Sequence, residues 1–475
     1  MIYVLNKMAT TRFYLTRSTK RFFQMRKTCK KQLPLPEATT VHPKVKELEQ
    51  ISSILDANSN IYELAAQDFL RADNDTGANG MSVEQVVRAA IIKQTEAFSY
   101  EELTFHLEDS KAYRTFCKFD FGKAYAKSTL NGNIKAISAA TWEEINVILL
   151  QYAVENKIEN GRKVRIDCTV VESNIHAPYD SELLWDSVRV TARILNQAKD
   201  GLLGLQFSFR DHSLSSKRRC LEVMNAKNAK QRKKAYKVLI KMGENTIGYA
   251  ESAQKALRDY QSGTIEKMVL AGRIRKELDH YLPLIRQIIC QRIRRVIHGE
   301  SVPAPEKLVS LFEPHTDIIV KDRRDTYYGH KICLTGGASN LILNCTILDG
   351  NPADSTLTKT MLERQEEIYK RPPLKVALDG GFASQDNLKA AKKQGIKDVC
   401  FSKGRGLAEE EMCRSTYVYK MLKKFRAGIE SGISWLKRAF GLDRCLWKGH
   451  DSFKSYVWAS IVSANLLTLA RKELA

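Results

Sequence analysis

Three acidic residues stand where a metal-dependent nuclease would need carboxylates. Asp167 lies within the apolar, strand-like run 163–171. Asp379 ends a second run of this kind and is followed by two glycines, and Glu430 lies farther along in a run with helical periodicity. Carboxylates are hard oxygen ligands that suit Mg²⁺ or Mn²⁺. The sequence therefore predicts a divalent-metal site if the fold brings the three residues together.

Two cations flank Glu430 on the same helix. Arg426, Glu430, Ile433 and Lys437 follow one another at spacings of four, three and four residues, which places them on one helical face. An arginine can bind a phosphate with its planar fork, and a lysine can bind one as a point charge. Arg426 and Lys437 are therefore candidate DNA-binding residues. The alternative is that they belong to an ordinary ionic face on a surface helix.

Two further residues are weaker candidates for contact with DNA. Trp435 lies off the face that carries Glu430; it could stack on a displaced base or belong to the core. Lys331 follows a glycine and a histidine within a strand-like run, which would let the backbone approach DNA closely. A purely structural role for this segment fits the sequence equally well.

The composition favours a polyanionic partner. The 475 residues include 76 Lys and Arg against 54 Asp and Glu, giving a formal net charge of +22. Cations that neutralise phosphates release counterions, so an excess of this size favours nucleic acid. The apolar runs are all shorter than the ~18–20 residues of a membrane helix, so no membrane partner is expected.

Several of these residues carry a family resemblance. Arginine, three residues, glutamate, six residues and lysine form the tail of the Y-R-E-K signature of bacterial insertion-sequence DDE transposases, the four/five-like superfamily. Arg426, Glu430 and Lys437 match this tail, whereas Lys423 stands at the position of the signature's tyrosine. The segments 328–331 and 378–382 also resemble this family.

The resemblance implies a function for the carboxylates. Asp167, Asp379 and Glu430 would be the catalytic triad and would hold two Mg²⁺ (or Mn²⁺) ions, which suits in-line displacement at phosphorus. The implied activity is cleavage at transposon ends and transfer of the resulting 3′-hydroxyls into target DNA. The implied partners are double-stranded terminal inverted repeats and target DNA, held by a homodimer. A structure-selective nuclease of the same fold and a non-catalytic DNA-binding regulator are the alternatives.

The order of predicted elements indicates a mixed α/β fold. A strand around Asp167 is followed by long helices, a β-hairpin, a helix, the Asp379 strand, a further helix and strand, and the helices around and after Glu430. Without the long helices, this order gives a ribonuclease H-like core with a helical insertion between its first and second strands. Asp167 would then lie on the central strand and Asp379 at the end of its neighbour.

The same patterns predict four regions. They are a basic N-terminal arm and linker (1–45), a helical DNA-binding domain (46–158), a catalytic core (159–190 with 318–475) and a basic helical insertion (191–317). Within 211–300 there are 20 Lys and Arg against 9 Asp and Glu, so this segment carries half of the net charge. Such a concentration favours DNA contact over a merely solvated face.

Helix-capping patterns support the helical N-terminal region. Ser82 with Gln85, Ser99 with Glu102, and Thr141 with Glu144 each have the spacing of a capping box. Short, capped helices with basic patches are typical of helix-turn-helix-like DNA-binding units, although a purely structural cap is also possible.

The compartment is predicted to be a reducing bacterial cytoplasm, with the protein associated with the nucleoid. The ten cysteines include no C-x-x-C pair, which supports neither a zinc ribbon nor a disulfide scaffold. The first 36 residues contain nine Lys and Arg and no acidic residue. This segment could be a basic arm, an over-extended start or an organellar transit peptide.

Overall fold

The described chain divides into two compact units. The computed structural model describes residues 42–69, 80–120, 123–261, 264–321 and 325–475. The first unit contains the described residues up to Val171, with Ile332–Leu348 and Pro352–Ala475; the second contains Glu172–Lys331 and Asp349–Asn351. All but the end of the predicted basic arm falls outside the described residues. None of the described helices is long and apolar enough to span a membrane.

The secondary structure is mixed, with helices in the majority. The strands are β1 (Lys163–Glu172), β2 (Asp317–Lys321), β3 (Asp325–Gly336), β4 (Ile342–Ile347), β5 (Lys375–Leu378) and β6 (Asp398–Phe401). The helices before β1 are α1 (Pro43–Ala57), α2 (Asn60–Ala66), α3 (Val83–Thr95), α4 (Tyr100–Asp109), α5 (Lys111–Phe116), α6 (Lys127–Ala136) and α7 (Ala139–Glu155). Between β1 and β2 lie α8 (Asp180–Gly201), α9 (Ser213–Met224), α10 (Ala229–Asp259) and α11 (Ile265–Arg292). After β4 follow α12 (Thr358–Tyr369), α13 (Gln385–Lys393), α14 (Glu409–Met412), α15 (Thr416–Ala439) and α16 (His450–Leu474).

The strands form one mixed sheet. Neighbouring strands follow the order β2-β3-β1-β5-β6, and β4 also pairs with β3. β5 runs parallel to both β1 and β6, whereas β3 runs antiparallel to both β2 and β4. Most residues of β1 are buried on both faces of the sheet, as a central strand requires. The prediction of a mixed α/β fold is confirmed. In this structure Asp167 lies on the central strand β1, and helices α8 to α11 lie between β1 and β2.

Two of the three predicted capping boxes are present. Ser82 with Gln85 and Ser99 with Glu102 each make both reciprocal hydrogen bonds, at the starts of α3 and α4. The box predicted at Thr141 is wrong, because α7 begins earlier and Ser138 is its N-cap. Ser138 Oγ accepts from the backbone N–H of Thr141 at 3.2 Å. This N–H lies in the first turn and has no partner within the helix, so the Ser138 side chain caps it.

The N-terminal helices and the sheet share one apolar core in the first unit. Helix α16 is buried along most of its length and packs against α7. Asn465 in this helix accepts from the backbone N–H of Ile342 at 2.9 Å. Its amide nitrogen donates to Asn146 Oδ1 at 2.7 Å and to the Ile342 carbonyl at 2.8 Å. A buried amide with these partners fixes α7, α16 and β4 relative to one another.

The second unit contains the four helices that follow β1. Helices α8 to α11 bury apolar faces against one another, including Leu195, Leu239 and Ile285. Asp180, at the start of α8, binds Arg292 at 2.6 Å and Arg295 at 2.8 Å. Asp180 thus joins the start of α8 to the end of α11.

Candidate active site

The register of two parallel strands places Asp167 beside Asp379. β1 pairs with β5 so that Ile166 lies opposite Leu378 at the last position of the register. Asp167 is the next residue of β1, Asp379 directly follows the last residue of β5, and neighbouring strands are about 4.8 Å apart. Equal positions on adjacent strands therefore bring the two carboxylates to the same place on the sheet.

Helix α15 supplies the third carboxylate. It begins after Ser415, whose hydroxyl accepts from the backbone N–H of Val418 at 3.3 Å. One face of the helix is apolar and buried, including Leu422, Ile429 and Leu436. Arg426 and Glu430 lie beside this face, so burial of the apolar residues sets the direction in which they point.

The guanidinium of Arg426 contacts all three acids. Its Nη1 lies 3.6 Å from Asp167 Oδ2 and 3.2 Å from Asp379 Oδ1. Its Nη2 lies 2.6 Å from Glu430 Oε1. The three carboxylates therefore converge on one cationic group.

The surroundings of Asp379 and Arg426 shift the pKa of each group so that its ionised form is favoured. Partial burial pushes the pKa of Asp379 upward, but hydrogen bonds from Ser402 Oγ and the backbone N–H of Gly380, with the Arg426 charge, hold it below its ordinary value. Burial pushes the pKa of Arg426 downward, yet the hydrogen bond to Glu430 and the charges of the two aspartates raise it overall. The aspartate is thus kept ionised and available to bind a cation.

Ser402 is a site residue that the sequence analysis missed. It directly follows β6, which is parallel to β5, and its hydroxyl donates to Asp379 Oδ1 at 2.8 Å. The position could have been found by the rule that located Asp379, since both residues lie at the carboxyl ends of adjacent parallel strands. Serine was overlooked because it is not itself a strong ligand of divalent ions.

Removing this hydroxyl should shift the pH dependence of the site. In Ser402→Ala, Asp379 loses a donor that favours its ionised form, so its pKa should rise and protonation should compete with cation binding at higher pH. We expect the acid limb of a Mn²⁺-binding profile to move to higher pH, with affinity at high pH nearly unchanged. Electron paramagnetic resonance titration of free Mn²⁺ measures this. Ser402→Thr, which keeps the hydroxyl, is the control, and equal profiles for Ala and wild type would contradict the assigned hydrogen bond.

The other predicted site residues lie as follows. Lys437 Nζ contacts Asp443 Oδ1 at 3.2 Å near the end of α15. Trp435 is half-buried and packs edge-on against Phe440, with ring centroids 4.8 Å apart. Lys423, at the signature's tyrosine position, is exposed. Lys331 is half-buried on β3 and belongs to the second unit.

Models of two known domain families match separate parts of the chain. A family model described as "Transposase DDE domain" matches residues 301–466, and one described as "Transposase domain (DUF772)" matches residues 37–136. Neither the curated proteins nor the solved structures contain a significant match to the chain. The first match includes Asp379, Arg426, Glu430 and Lys437, whereas Asp167 lies outside both matches and reaches the site through the pairing of β1 with β5.

The two matches identify transposase domains in the chain. They confirm the predicted resemblance to insertion-sequence DDE transposases of the four/five-like group.

Proposed function

We propose that Asp167, Asp379 and Glu430 are the catalytic triad of a ribonuclease H-like core that cleaves transposon ends and joins them to target DNA. The observation that carries the proposal is the convergence of all three carboxylates on the Arg426 guanidinium. Five of the strands, β1, β3, β4, β5 and β6, are arranged as β4-β3-β1-β5-β6. This order and the parallel β1–β5 pair support the ribonuclease H-like assignment.

The donor set fits divalent ions of the magnesium type. It consists of carboxylate oxygens, at a position where the structure already places a positive group between them. When bound, two Mg²⁺ or Mn²⁺ ions would activate the attacking oxygen and stabilise the leaving oxygen of an in-line displacement. Asp167, Asp379 and Glu430 would hold the ions through their carboxylate oxygens.

The chain's own residues orient this chemistry. Ser402 and the Gly380 N–H keep Asp379 ionised and fix its direction, and the Cys168 backbone N–H donates to Asp167 Oδ1 at 2.8 Å. Water attacks the phosphodiester at the transposon end, and the 3′-oxygen leaves as a hydroxyl. That hydroxyl then attacks a target phosphodiester and displaces a second 3′-oxygen. Both steps are direct displacements, so no covalent protein–DNA intermediate is assigned.

The remaining parts are proposed to bind DNA. The helical region 46–158 and the basic insertion 191–317 would hold the terminal repeats, and the core regions 159–190 and 318–475 would carry the chemistry. Arg426, Lys437, Lys331 and Trp435 are proposed DNA contacts, with a homodimer holding two ends. Of these regions, the insertion has the strongest support, since its exposed lysines lie on a regular helical face.

Arg426 should have opposite effects on metal and DNA. In Arg426→Gln, the cation that contacts all three carboxylates is lost, so Mn²⁺ affinity without DNA should rise, on the order of tenfold. DNA affinity should fall, because a phosphate-binding cation is lost as well. Isothermal titration of Mn²⁺ and a filter-binding assay for DNA measure the two effects. Arg426→Lys keeps the charge and is the control; a fall in both affinities for Gln would argue against a shared carboxylate–guanidinium cluster.

A strand-transfer assay with Mn²⁺ tests the function. Labelled DNA bearing the element's own terminal repeats is incubated with target plasmid and wild-type protein. Joined product supports the transposase proposal, whereas cleavage without joining would indicate a nuclease. Binding without either reaction would indicate a regulator and would refute the proposed activity.

A further inference from the structure

Arg165 lies two residues before Asp167 on β1, on the face of the sheet that α15 covers. It is buried, with 6% of its surface exposed. Its Nη1 donates to the backbone carbonyl of Phe425 at 3.0 Å, and its Nη2 donates to Asn340 Oδ1 at 2.6 Å. The guanidinium thus connects the central strand, the turn between β3 and β4, and the middle of α15.

The Phe425 ring adds to this connection. The Arg165 guanidinium lies 4.7 Å from the ring centroid, and the Lys163 ammonium lies 4.1 Å from it. Cations at this distance are attracted to an aromatic face, particularly when partly desolvated. Phe425 immediately precedes Arg426, so both its carbonyl and its ring are held one residue before the cationic group of the site.

Gly428 makes this close approach possible. A Cβ at this position would lie 1.9 Å from Arg165 Nη1. Glycine destabilises a helix interior relative to alanine, so its presence here needs a packing reason. Gly432, one turn farther along the same helix, has no atom within 4 Å of a Cβ placed there. The contrast identifies Gly428 as the residue that accommodates the guanidinium.

We propose that Arg165 is a positioning residue that fixes the turn 425–430 of α15 against β1. Its two donors and its stacking on Phe425 set the height and rotation of the helix. That placement brings Arg426 and Glu430 to Asp167 and Asp379. The catalytic meaning of the placement rests on the proposed function, whereas the contact between Arg165 and α15 does not.

Four substitutions test the proposal. Arg165→Ala removes both donors. Arg165→Lys retains the charge but cannot bond two separated acceptors with a planar fork. Gly428→Ala forces the flexible end of Arg165 away from the helix and should leave the fold intact. Gly432→Ala is the matched control, since it makes the same change on the same helix in open space.

The first readout is hydrogen exchange of α15 amides, measured on the full chain without metal or DNA. Arg165→Ala and Gly428→Ala should speed exchange at 425–431, and Arg165→Lys should have a smaller effect. Gly432→Ala should leave exchange there unchanged or slower. If Gly428→Ala and Gly432→Ala behave alike, or Arg165→Ala exchanges as wild type does, the proposal is overturned.

The second readout is catalytic. Displacing a catalytic group by about 1 Å can cost on the order of a hundredfold in rate, so Arg165→Ala and Gly428→Ala should lower kcat by about that factor while DNA affinity stays within about twofold. Arg165→Lys should recover part of the loss. Equal losses of kcat and of DNA affinity would indicate general destabilisation and would refute a positioning role.

The two proposals can fail separately. If Asp167→Asn leaves Mn²⁺ binding unchanged, the metal site is misassigned, yet the exchange data still decide whether Arg165 holds α15. If Asp167→Asn abolishes Mn²⁺ binding while the Arg165 and Gly428 variants match wild type in exchange and kcat, the proposed function survives and the positioning role does not.

Discussion

Glu430→Gln should abolish cleavage while leaving the protein folded and bound to DNA. Glutamine keeps the size of the side chain and nearly the same helix propensity, and 58% of the Glu430 side chain is exposed, so little packing changes. The substitution removes a negative oxygen that a hard divalent ion requires. Losing one ion's contribution to the transition state should lower the cleavage rate on the order of a thousandfold or more. Single-turnover cleavage in Mg²⁺, with DNA affinity measured in parallel, gives both quantities.

A glutamate outside the cluster provides the control for this experiment. Glu410 is exposed on α14, in the same unit. Its replacement by Gln makes the same chemical change as Glu430→Gln but leaves the three carboxylates intact. Glu410→Gln should cleave as wild type does. Near-normal cleavage by Glu430→Gln, with loss of activity in Glu410→Gln, would transfer the third-ligand role to the acidic segment 409–411.

The second large effect should come from the insertion. Lys230, Lys234, Lys237 and Lys241 are exposed on α10 at spacings of four, three and four, and so form a basic stripe on one helical face. If each lysine neutralises a phosphate, replacing all four by Gln should reduce the slope of log K against log[salt] by up to about four. DNA affinity at low salt should fall on the order of a hundredfold. Fluorescence anisotropy over a range of KCl concentrations measures both.

The four lysines of the basic stripe are exposed and do not belong to the apolar core of the second unit. Their helix buries other positions, including Leu239 and Ile240, and exposed surface substitutions usually change stability by less than about 0.5 kcal/mol. Replacing the same four lysines by Arg keeps the charge and should preserve the slope. An unchanged slope in the Gln variant would show that this face does not contact DNA.

Much of the site could be predicted from local sequence. The positions of Asp167 in a strand and of Asp379 directly after one could be predicted, because each residue belongs to a short apolar run. Runs of this kind next to glycines and acids are typical of strands that end at functional loops. The spacing of Arg426 and Glu430 follows from helical periodicity, and their 2.6 Å contact confirms that the two side chains lie together. Their roles in catalysis and DNA binding remain predictions.

Other features required contacts between distant segments. The capping box predicted at Thr141 was wrong because Ser138, three residues earlier, caps the helix. Ser138 and Thr141 are both residue types that cap helices, and local sequence does not decide between them. Ser402 was missed because its importance depends on the pairing of β6 with β5. Arg165 lies in the strand-like run 163–171, but its bonds to Phe425 and Asn340 join residues far apart in the chain.

The sequence by itself determined the spacing of apolar and polar residues along each strand and helix. It therefore determined which residue types lie together on one face of a strand or of the α15 helix. Those properties depend on neighbours within a few residues, which the sequence displays directly. Only the tertiary structure decided that Arg426 contacts all three carboxylates and that Gly428 accommodates Arg165. Such contacts depend on strand register and on the height of a helix above a sheet, and burial of the whole core fixes both.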